Sequence, residues 1–594
     1  MPRNPISATK AKNSKATFKN LVLSLRPYRY AIFFAIVLAA ISAFLSVLSP
    51  KLLGEITTSA TNSLLETGAI NWKPIIRLAD LLLVLYLISS ILNYFQSILI
   101  TVATAKYTEK LRTEILEKIS RLPIAYFDKN QYGDTLSRMS NDIDVIASSL
   151  SSSLTESIAS LTTVVGILIM MLSISFSLSA IALITVPLSL LLAGKVAKKA
   201  QKYFAAERKT LGKLNSIIEE DYSGQLIIKS NSHVETSVKA FTKVNQTFYE
   251  QSWKSQFFSR LAFPITNIIT NFGYIAVCIL GGLYVISGKI SVGNIQAFIQ
   301  YVSQFNRPLT SVAEIIHAIQ QTLAAAERIF EFLSEPEEQK DPEIPQKVPK
   351  VQGAVEFHNV NFSYDGKKSV IKNLSAKIAP GQQVAIVGPT GAGKTPIINL
   401  LMRFYDPTSG YISIDGVPTK EMRREDVRNL FGMVLQDTWL FSGTIEENLR
   451  YGNPHASLKE IKAATSLSNI DHFIESLPKS YSTPISEDSD NISAGEKQLL
   501  TIARAMIANP PMMILDEATS NVDTRTERLI QAAFDKLTKN RTSFVIAHRL
   551  STIRNSDLIL VMKDGNIVEQ GTHDELLAKN GFYAELYNSQ FAEN

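Results

Sequence analysis

The chain has 594 residues, which is too many for one hydrophobic core, so we expect several domains. Hydrophobic residues make up 46% of the chain and charged residues 19%, and the apolar residues are concentrated in the first half. The net charge of +6 is consistent with basic residues that face lipid head groups and the cytoplasm. No sequence motif indicates nucleic-acid binding.

Long apolar stretches in the first half predict six transmembrane helices, and a soluble helical core is the less favoured alternative. A helix that spans a bilayer needs about 20 apolar residues. Residues 157–194 supply roughly twice that number on either side of a turn-forming sequence at 173–179, so they predict two spans. The remaining stretches each predict one span, and they lie at 30–49, 78–102, 262–286 and, with more polar residues, 292–319.

Lysine and arginine residues predict the orientation of these spans. Residues 1–29 contain seven basic residues and no acidic residue, which indicates an N-terminal arm in the cytoplasm. Residues 105–150 and 195–261 are also basic, whereas the turns near 175 and 288 are almost uncharged. We therefore expect a multi-pass membrane protein with both termini in the cytoplasm.

Changes of composition predict four segments. The cytoplasmic arm (1–29) precedes a six-helix transmembrane domain (30–333), and a linker rich in proline and charge (334–353) precedes a soluble α/β domain (354–594). The long loops at 103–155 and 195–261 predict helices that extend into the cytoplasm, unless they are ordinary loops. Gly133 and Gly224 would mark short transverse helices there, with residues 135–146 and 219–228 docking on the soluble domain.

The sequence GPTGAGKT at 388–395 fits a phosphate-binding loop, because it follows the predicted strand QQVAIVG and precedes a predicted helix. Its glycines allow backbone N–H groups to surround phosphate oxygens, Lys394 would reach the β and γ phosphates, and the Thr395 hydroxyl would bind Mg2+. The residues predicted to form the nucleotide-binding loop are Gly388, Pro389, Thr390, Gly391, Ala392, Gly393, Lys394, Thr395 and Pro396.

A second pattern, MMILDEATSNVD at 512–523, is an apolar strand that ends in two carboxylates. Asp516 is suited to the Mg2+ shell, and Glu517 is suited to polarising the water that attacks the γ phosphate. Alone, such a pair is more often ordinary surface charge. Its position about 120 residues after the phosphate loop favours a nucleotide-hydrolysing site.

Together with NISAGEKQLLTIARA at 491–505, these sequences closely resemble the ATP-binding cassette family, and six spans followed by one cassette resemble its exporter half-transporters. The resemblance implies an α-helical six-span transmembrane domain with long cytoplasmic helical extensions, followed by an α/β P-loop nucleotide-binding domain. ATP and Mg2+ would be its cofactors. In the family, two cassettes meet head to tail, so that each ATP lies between the phosphate loop of one and the signature sequence of the other.

The resemblance also implies roles for individual residues. Tyr364 matches the aromatic residue that stacks on adenine, and Gln436 matches the glutamine that senses Mg2+ and faces the membrane domain. Lys394, Glu517 and His548 match the catalytic positions, with His548 contacting the γ phosphate. The Mg2+ ligands would be Thr395, Gln436 and Asp516. The signature residues that face the partner's ATP would be Ser493, Ala494, Gly495 and Glu496.

Two departures from the family pattern affect these expectations. The signature is usually LSGGQ, but here Ala494 adds a methyl group and Glu496 adds a carboxylate near a polyphosphate. Because Glu517 and His548 are intact, this asymmetry resembles the heterodimeric bacterial multidrug exporters. A second half-transporter is then the expected partner, and a homodimer with a variant signature is the alternative.

Pro396 is the other departure, because the family usually has Thr or Ser there. A proline in the first helical turn costs little stability, since its N–H has no helical partner. It removes a donor to the α phosphate, however, and biases Thr395 away from helical angles. We therefore expect weakened nucleotide binding.

The resulting functional hypothesis is ATP-driven export of amphiphilic compounds or drugs by alternating access across the bacterial cytoplasmic membrane. The partners would be the lipid bilayer, a small amphiphilic substrate and the second half-transporter. A lipid or peptide exporter with the same ATP-driven mechanism is one alternative, and an ATP-regulated membrane sensor that transports nothing is another.

Overall fold

The structure, a computed structural model, describes residues 13–130, 132–435, 438–486, 492–516, 523–546 and 550–591. It divides into two compact units. The first contains Met1–Arg121 and Gln131–Pro336, and the second contains Leu122–Asn130 and Glu337–Asn594. A helical membrane region is therefore followed in the chain by a mixed α/β region, as the sequence predicts.

The described residues of the N-terminal half are mostly α-helical, with a 3-10 turn at Arg26–Tyr28 and two π-helical turns at Arg138–Asp142 and Ser149–Ser153. Its α-helices are α1 (Ser14–Ser24), α2 (Arg29–Thr67), α3 (Trp72–Arg121), α4 (Ile124–Lys129), α5 (Tyr132–Ser137), α6 (Ile143–Ser148), α7 (Leu154–Ile174), α8 (Phe176–Ser223), α9 (Gln225–Ser230), α10 (Val234–Ile286) and α11 (Val292–Leu333).

Within the described residues, five helical segments are long and apolar enough to cross a membrane, rather than the predicted six. They are Arg26–Thr67, Trp72–Arg121, Thr135–Ile174, Phe176–Ser223 and Val234–Ile286. The predicted turn at 173–179 is present, since Ser175 separates α7 from α8. The sixth predicted span lies in α11, a helix of 42 residues that is not among the five because polar residues dilute its apolar stretch.

The membrane unit has a buried core to which the first and last long helices contribute. Phe298 and Tyr301 of α11 are fully buried there with Met171 of α7. The Tyr301 hydroxyl donates to the Val47 carbonyl of α2 at 2.8 Å. A Cβ atom on Gly293 would lie only 1.6 Å from the backbone oxygen of Gly54, so glycine allows α2 and α11 to pack backbone against backbone.

The two segments predicted to dock on the soluble domain, 135–146 and 219–228, both belong to the membrane unit, and their docking stays a prediction. Residues 135–146 stay within the membrane unit, and Asp142 there is buried, accepting two hydrogen bonds from the Arg328 guanidinium of α11. The nine residues that group with the α/β unit instead are Leu122–Asn130, which contain α4. Pro123 explains the break, because proline ends α3 and begins a new short helix. A short helix, α9, does follow Gly224.

The described residues of the α/β unit form three sheets, and the elements that the sequence predicts there are present. Its strands are β1 (Val355–Phe362), β2 (Ile371–Ile378), β3 (Gln383–Val387), β4 (Ser409–Ile414), β5 (Val417–Pro418), β6 (Phe431–Val434), β7 (Gly443–Thr444), β8 (Pro484–Ile485), β9 (Met512–Asp516), β10 (Thr542–Ile546), β11 (Leu558–Lys563) and β12 (Asn566–Gly571). Its helices are α12 (Lys394–Leu401), α13 (Arg424–Asn429), α14 (Ile445–Arg450), α15 (Leu458–Leu467), α16 (Asp471–Ser476), α17 (Ala494–Ala508), α18 (Thr524–Thr538), α19 (Leu550–Arg554), α20 (His573–Ala578) and α21 (Phe582–Phe591).

The central six-stranded sheet has the order β12-β11-β3-β10-β9-β6. The strands from β11 to β6 run parallel, and β12 pairs with β11 in the antiparallel direction. A four-stranded antiparallel sheet has the order β2-β1-β4-β5, and β7 and β8 form a small third sheet. Because β3, β10 and β9 are buried and nearly continuous in apolar residues, they form the layer from which site residues emerge.

Part of the predicted linker is anchored on the α/β unit by arginines. Arg424 of α13 donates to the Asp341 carboxylate at 3.1 Å and to the Gln339 carbonyl at 2.6 Å. Arg428 pairs with Glu338 at 3.0 Å. Because the Arg424 side chain is only 9% exposed, these bonds fix the start of the α/β unit more firmly than the proline-rich composition suggests.

Replacement of Asp142 by Asn is expected to destabilise the membrane unit, because it removes the buried charge that the Arg328 guanidinium faces. The Asp142 side chain is 5% exposed and that of Arg328 28%, so we expect a loss of about 2–3 kcal/mol in the free energy of unfolding. The measurement is the midpoint of thermal unfolding in detergent.

Asp144→Asn is the matched control, since Asp144 pairs with Arg112 at 3.0 Å but its side chain is 65% exposed. An exposed pair contributes about 0–1 kcal/mol, so the control should unfold close to the parent temperature. Equal shifts for the two variants would contradict the structural role assigned to the Asp142–Arg328 pair.

Candidate nucleotide-binding site

The predicted phosphate loop lies at the carboxyl end of the parallel sheet. It leaves buried β3 after Val387 and enters α12 at Lys394, and Gly391 and Gly393 adopt φ angles of 82° and 105°. Only glycine adopts such angles without strain. The turn at Gly393 lets α12 begin with its N-terminal N–H groups free of helical partners, which is the arrangement that binds anions.

The Lys394 ammonium group is the centre of this loop. Its Nζ donates to the carbonyl oxygens of Gly388 at 2.6 Å and Pro389 at 3.1 Å. Burial lowers the pKa of Lys394 below its usual value, and the charge of Asp516 opposes that shift. The cation is therefore partly removed from water and held by neutral carbonyl groups, which a phosphate oxygen can replace as the stronger, charge-assisted acceptor.

A cavity of about 280 Å³ opens at this loop and brings several predicted residues together. Asp516 reaches it from the end of β9, and Ile546 reaches it from the end of β10, the strand that lies between β3 and β9. The other residues that line it are Val370, Thr390, Gly391, Gly393, Lys394, Thr395 and Pro396. The phosphate loop and the strand-end carboxylate therefore face one space, as their sequence patterns predict.

Pro396 is the third residue of α12, and the structure explains why the fold tolerates it. The carbonyl group with which a proline clashes in a helix belongs to the residue four positions earlier, here Ala392. That carbonyl points away from the helix and accepts from the Gly565 N–H at 3.1 Å. Thr395 is helical, so the expectation that Pro396 biases it away from helical angles is wrong. Burial of Ile397, Ile398 and Leu401 holds this turn in the helix.

The predicted adenine-stacking residue, Tyr364, is connected to α12 but does not line the cavity. Its hydroxyl accepts from Asn399 Nδ2 at 3.2 Å, and its ring is 36% exposed. The ring packs edge to face on Phe362 and on Tyr405, with ring centroids 4.7 and 5.0 Å apart. An exposed face remains on which a flat ligand could stack.

The signature residues form the N-terminus of α17 and contribute nothing to the loop cavity. Ser493 is the N-cap, and its hydroxyl accepts from the Glu496 N–H at 3.3 Å. In return the Glu496 carboxylate accepts from the Ser493 N–H at 2.8 Å and from its hydroxyl at 2.7 Å. Glu496 therefore also has a structural role, because its carboxylate completes a capping box that holds Ser493 in place. Ala494 is exposed and Gly495 is buried.

Three predicted site residues, Gln436, Glu517 and His548, lie outside the described residues. The strands that lead to them are described. Glu517 follows β9 directly in the sequence, and His548 comes two residues after β10, and both strands end at the edge of the sheet that carries the phosphate loop.

Two residues that the sequence reasoning missed are Asp128 and Tyr405. The Tyr405 hydroxyl donates to the Asp128 carboxylate of α4 at 2.5 Å. Because the Tyr405 ring packs against the Tyr364 ring, this hydrogen bond places α4 close to Tyr364. Burial and the bond to Asp128 raise the pKa of the Tyr405 phenol above its usual range. The available signal in the sequence was Pro123, which breaks a helix, followed by IAYFD, a short stretch that contains two aromatic residues and an acidic one.

Comparisons with known proteins agree with this arrangement. Residues 32–309 match the family described as ABC transporter transmembrane region, and residues 371–520 match the family described as ABC transporter. The chain is 48% identical to the fatty acid ABC transporter ATP-binding/permease protein of Mycobacterium bovis, over 87% of this chain and 82% of that protein. It is 32% identical to the ATP-dependent lipid A-core flippase of Syntrophus aciditrophicus, over 97% of this chain and 95% of that protein.

A third relative is the putative multidrug export ATP-binding/permease protein YgaD of Bacillus subtilis, which is 31% identical over 96% of this chain and 99% of that protein. The three relatives therefore carry names that concern fatty acids, lipid A and drugs, and each aligns with both the membrane region and the α/β region of this chain.

Replacing Pro396 by Thr should tighten ATP binding, because it restores a backbone N–H at the mouth of the phosphate-loop cavity. One charge-assisted hydrogen bond of about 1.5–3 kcal/mol corresponds to roughly ten- to a hundredfold in affinity. The measurement is a nucleotide titration of each protein assembled with its partner.

Pro396→Ala is the matched control, since it restores the N–H without adding a hydroxyl group. Both variants should gain affinity to a similar degree. If neither binds ATP more tightly than the parent, Pro396 is a harmless helix-start residue and the loop is not weakened.

Replacing Tyr405 by Phe should reduce transport more than basal ATP hydrolysis, because the ring stays in place while the bond to Asp128 is lost. That bond holds α4, which directly follows the membrane-length α3 in the chain, so its loss should affect transport more than hydrolysis. We expect transport to fall about two- to tenfold, the range for one hydrogen bond, with basal hydrolysis nearly unchanged. Reconstituted vesicles allow both rates to be measured on one preparation.

Tyr411→Phe is the control, because Tyr411 is an exposed tyrosine that stacks on His358. It should leave both rates unaltered. A parallel loss of transport and hydrolysis in Tyr405→Phe would indicate a catalytic or folding defect instead of lost coupling.

Proposed function

The chain belongs to the ABC transporter family, and from this premise we propose that it is one half of a dimeric pump that exports amphiphilic compounds across a bacterial cytoplasmic membrane. The chain is an exporter-type half-transporter whose ATPase activity is coupled to transport. The observation that carries the proposal is the pairing of apolar, membrane-length helices with a phosphate-loop cavity that Lys394 and Asp516 line.

The described residues fit a nucleotide and a metal ion. Lys394 presents a half-buried cation that donates to two carbonyl oxygens, and a phosphate oxygen would be a stronger, charge-assisted acceptor for it. Thr395 and Asp516 offer a hydroxyl and a carboxylate oxygen to the same cavity, which are ligands that Mg2+ prefers. The metal ion would neutralise charge on the terminal phosphates. Lys394 then holds the β and γ phosphates, and Glu517 orients the attacking water.

The position of the signature residues supports a dimer. Ser493 begins α17 and does not line the loop cavity of its own chain, which agrees with a second chain supplying the signature that closes each ATP site. The Ser493–Glu496 capping box uses the serine hydroxyl proton within this chain, which weakens Ser493 as a donor to the partner's γ phosphate. This supports a heterodimer in which the signature of this chain serves the less active site, and a homodimer is the alternative.

Lipid export is the second candidate, and the names of the relatives favour it. The fatty acid transporter and the lipid A-core flippase both carry names of molecules with acyl chains. Peptide export and ATP-regulated sensing without transport have no comparable support.

The test is ATP-dependent movement of a probe in vesicles that contain the chain with its partner. A cationic amphiphilic dye represents drugs, and a fluorescent fatty acid and a fluorescent phospholipid represent lipids. The proposal expects the dye to move against its gradient only with ATP. Selective movement of a lipid probe would replace drug export by lipid export, and hydrolysis without movement of any probe would identify a sensor.

Replacing Glu517 by Gln should preserve ATP binding but nearly abolish turnover, because the attacking water loses its carboxylate while Lys394 and the metal ligands remain. Nucleotide occupancy and hydrolysis are measured on the same preparation. A fall in hydrolysis of less than about tenfold at equal occupancy would argue against the assigned role.

A further inference from the structure

A groove of about 480 Å³ lies in the membrane unit, apart from every nucleotide-site residue. Its walls are α1, the start of α2, and residues of the second π-helical turn, α7 and α11. Hydrogen bonds hold α1 in place as one wall. The Ser24 hydroxyl bonds the Tyr107 hydroxyl of α3 at 2.7 Å, and the Asn13 N–H donates to Glu327 of α11 at 2.8 Å. The groove is therefore built by anchored helices.

The interior of this groove is apolar. Phe18, Val22 and Phe33 line it, and they are 56%, 51% and 59% exposed. Ile158 of α7 and Leu323 of α11 complete the opposite wall. With 11 residues, α1 is too short to cross a bilayer, so its apolar side chains cannot be covered as those of a membrane-spanning helix are. An apolar groove of this size calls for an apolar ligand.

Two arginines provide the polar end of the groove. Arg26 and Arg29 line it, no acidic residue does, and neither arginine has a carboxylate partner among the described residues. Arg29 donates to the Tyr30 hydroxyl at 2.9 Å and lies over its ring, which leaves other guanidinium N–H groups free for a ligand. Both arginines are exposed and begin the first membrane-length segment, Arg26–Thr67, where charged head groups meet apolar chains.

We propose that this groove binds a single-chain anionic amphiphile, namely a long-chain carboxylate, with its head group on Arg26 and Arg29 and its chain along Phe18, Val22 and Phe33. Guanidinium groups bind carboxylates through paired N–H donors, which selects an anion over a neutral or cationic head group. A volume of about 480 Å³ falls in the range of pockets that hold one small ligand, about 300–1,000 Å³, which favours one acyl chain over a complete diacyl lipid.

The test is photolabelling of the full chain, assembled with its partner in phosphatidylcholine nanodiscs, by palmitate that carries a diazirine in its chain. No nucleotide is present, so a negative result leaves the transport proposal untouched, and a failure of transport leaves this binding site untouched. The expected result is saturable labelling of peptides from α1, the start of α2 and α11. Unlabelled palmitate should compete, and hexadecanol, which lacks the charge, should compete at least about tenfold less well.

Variants identify the head-group site. Arg26→Gln with Arg29→Gln should weaken palmitate binding at least about tenfold, whereas the double Lys variant, which keeps both charges, should retain most of it. Arg77→Gln is the matched control, because Arg77 is an exposed arginine of α3 outside the groove, and it should bind palmitate like the parent. Unchanged ATP affinity and a single elution peak establish that the variants are folded.

Three outcomes would overturn the proposal. They are palmitate affinity unaffected by the double Gln variant, equal competition by hexadecanol, and displacement of palmitate by phosphatidylglycerol at equal concentration. The last would assign the groove to a bilayer phospholipid.

Discussion

The half-buried ammonium group of Lys394 is the constraint on which the nucleotide site depends. A cation withdrawn from water needs acceptors, and the loop supplies the carbonyl oxygens of Gly388 and Pro389. Those carbonyls are positioned because β3 is buried in the parallel sheet and Gly393 turns the chain sharply into α12. The sheet order then brings Asp516 to the same cavity from β9, two strands away. The site thus follows from a buried sheet, one glycine turn and one half-buried cation at the carboxyl end of that sheet.

The same turn accounts for the unusual proline. Because the Ala392 carbonyl is engaged by Gly565, no helical carbonyl meets the Pro396 ring, and the fold accepts a residue that removes a donor from the phosphate site. The capping box of Glu496 and Ser493 is similar, since it stabilises the start of α17 while occupying a hydroxyl that the family uses for ATP. At both positions the local structure is satisfied by contacts within the chain, and the variants of Pro396 test whether this weakens nucleotide binding.

Much of the fold could be predicted from the sequence because its signals are local. The apolar runs gave the long helices, and GPTGAGKT between an apolar strand and a helix gave the phosphate loop. The sixth span has a weaker apolar signal, since polar residues dilute the apolar run in α11. The bonds of Asp142 to Arg328 and of Tyr405 to Asp128 join residues 186 and 277 positions apart, and no local pattern encodes such pairs. Thr395 was predicted wrongly because core burial along α12 outweighed a local steric bias.

The most direct test of this account is the ATP affinity of a Lys394→Gln variant, assembled with its partner and compared with the parent in the same titration. Glutamine keeps a hydrogen-bonding side chain but removes the positive charge of the lysine that lines the cavity. We predict that affinity at the site containing this loop falls at least about tenfold, since a charge-assisted bond to phosphate is lost. An unchanged affinity at that site would contradict the claim that Lys394 organises nucleotide binding.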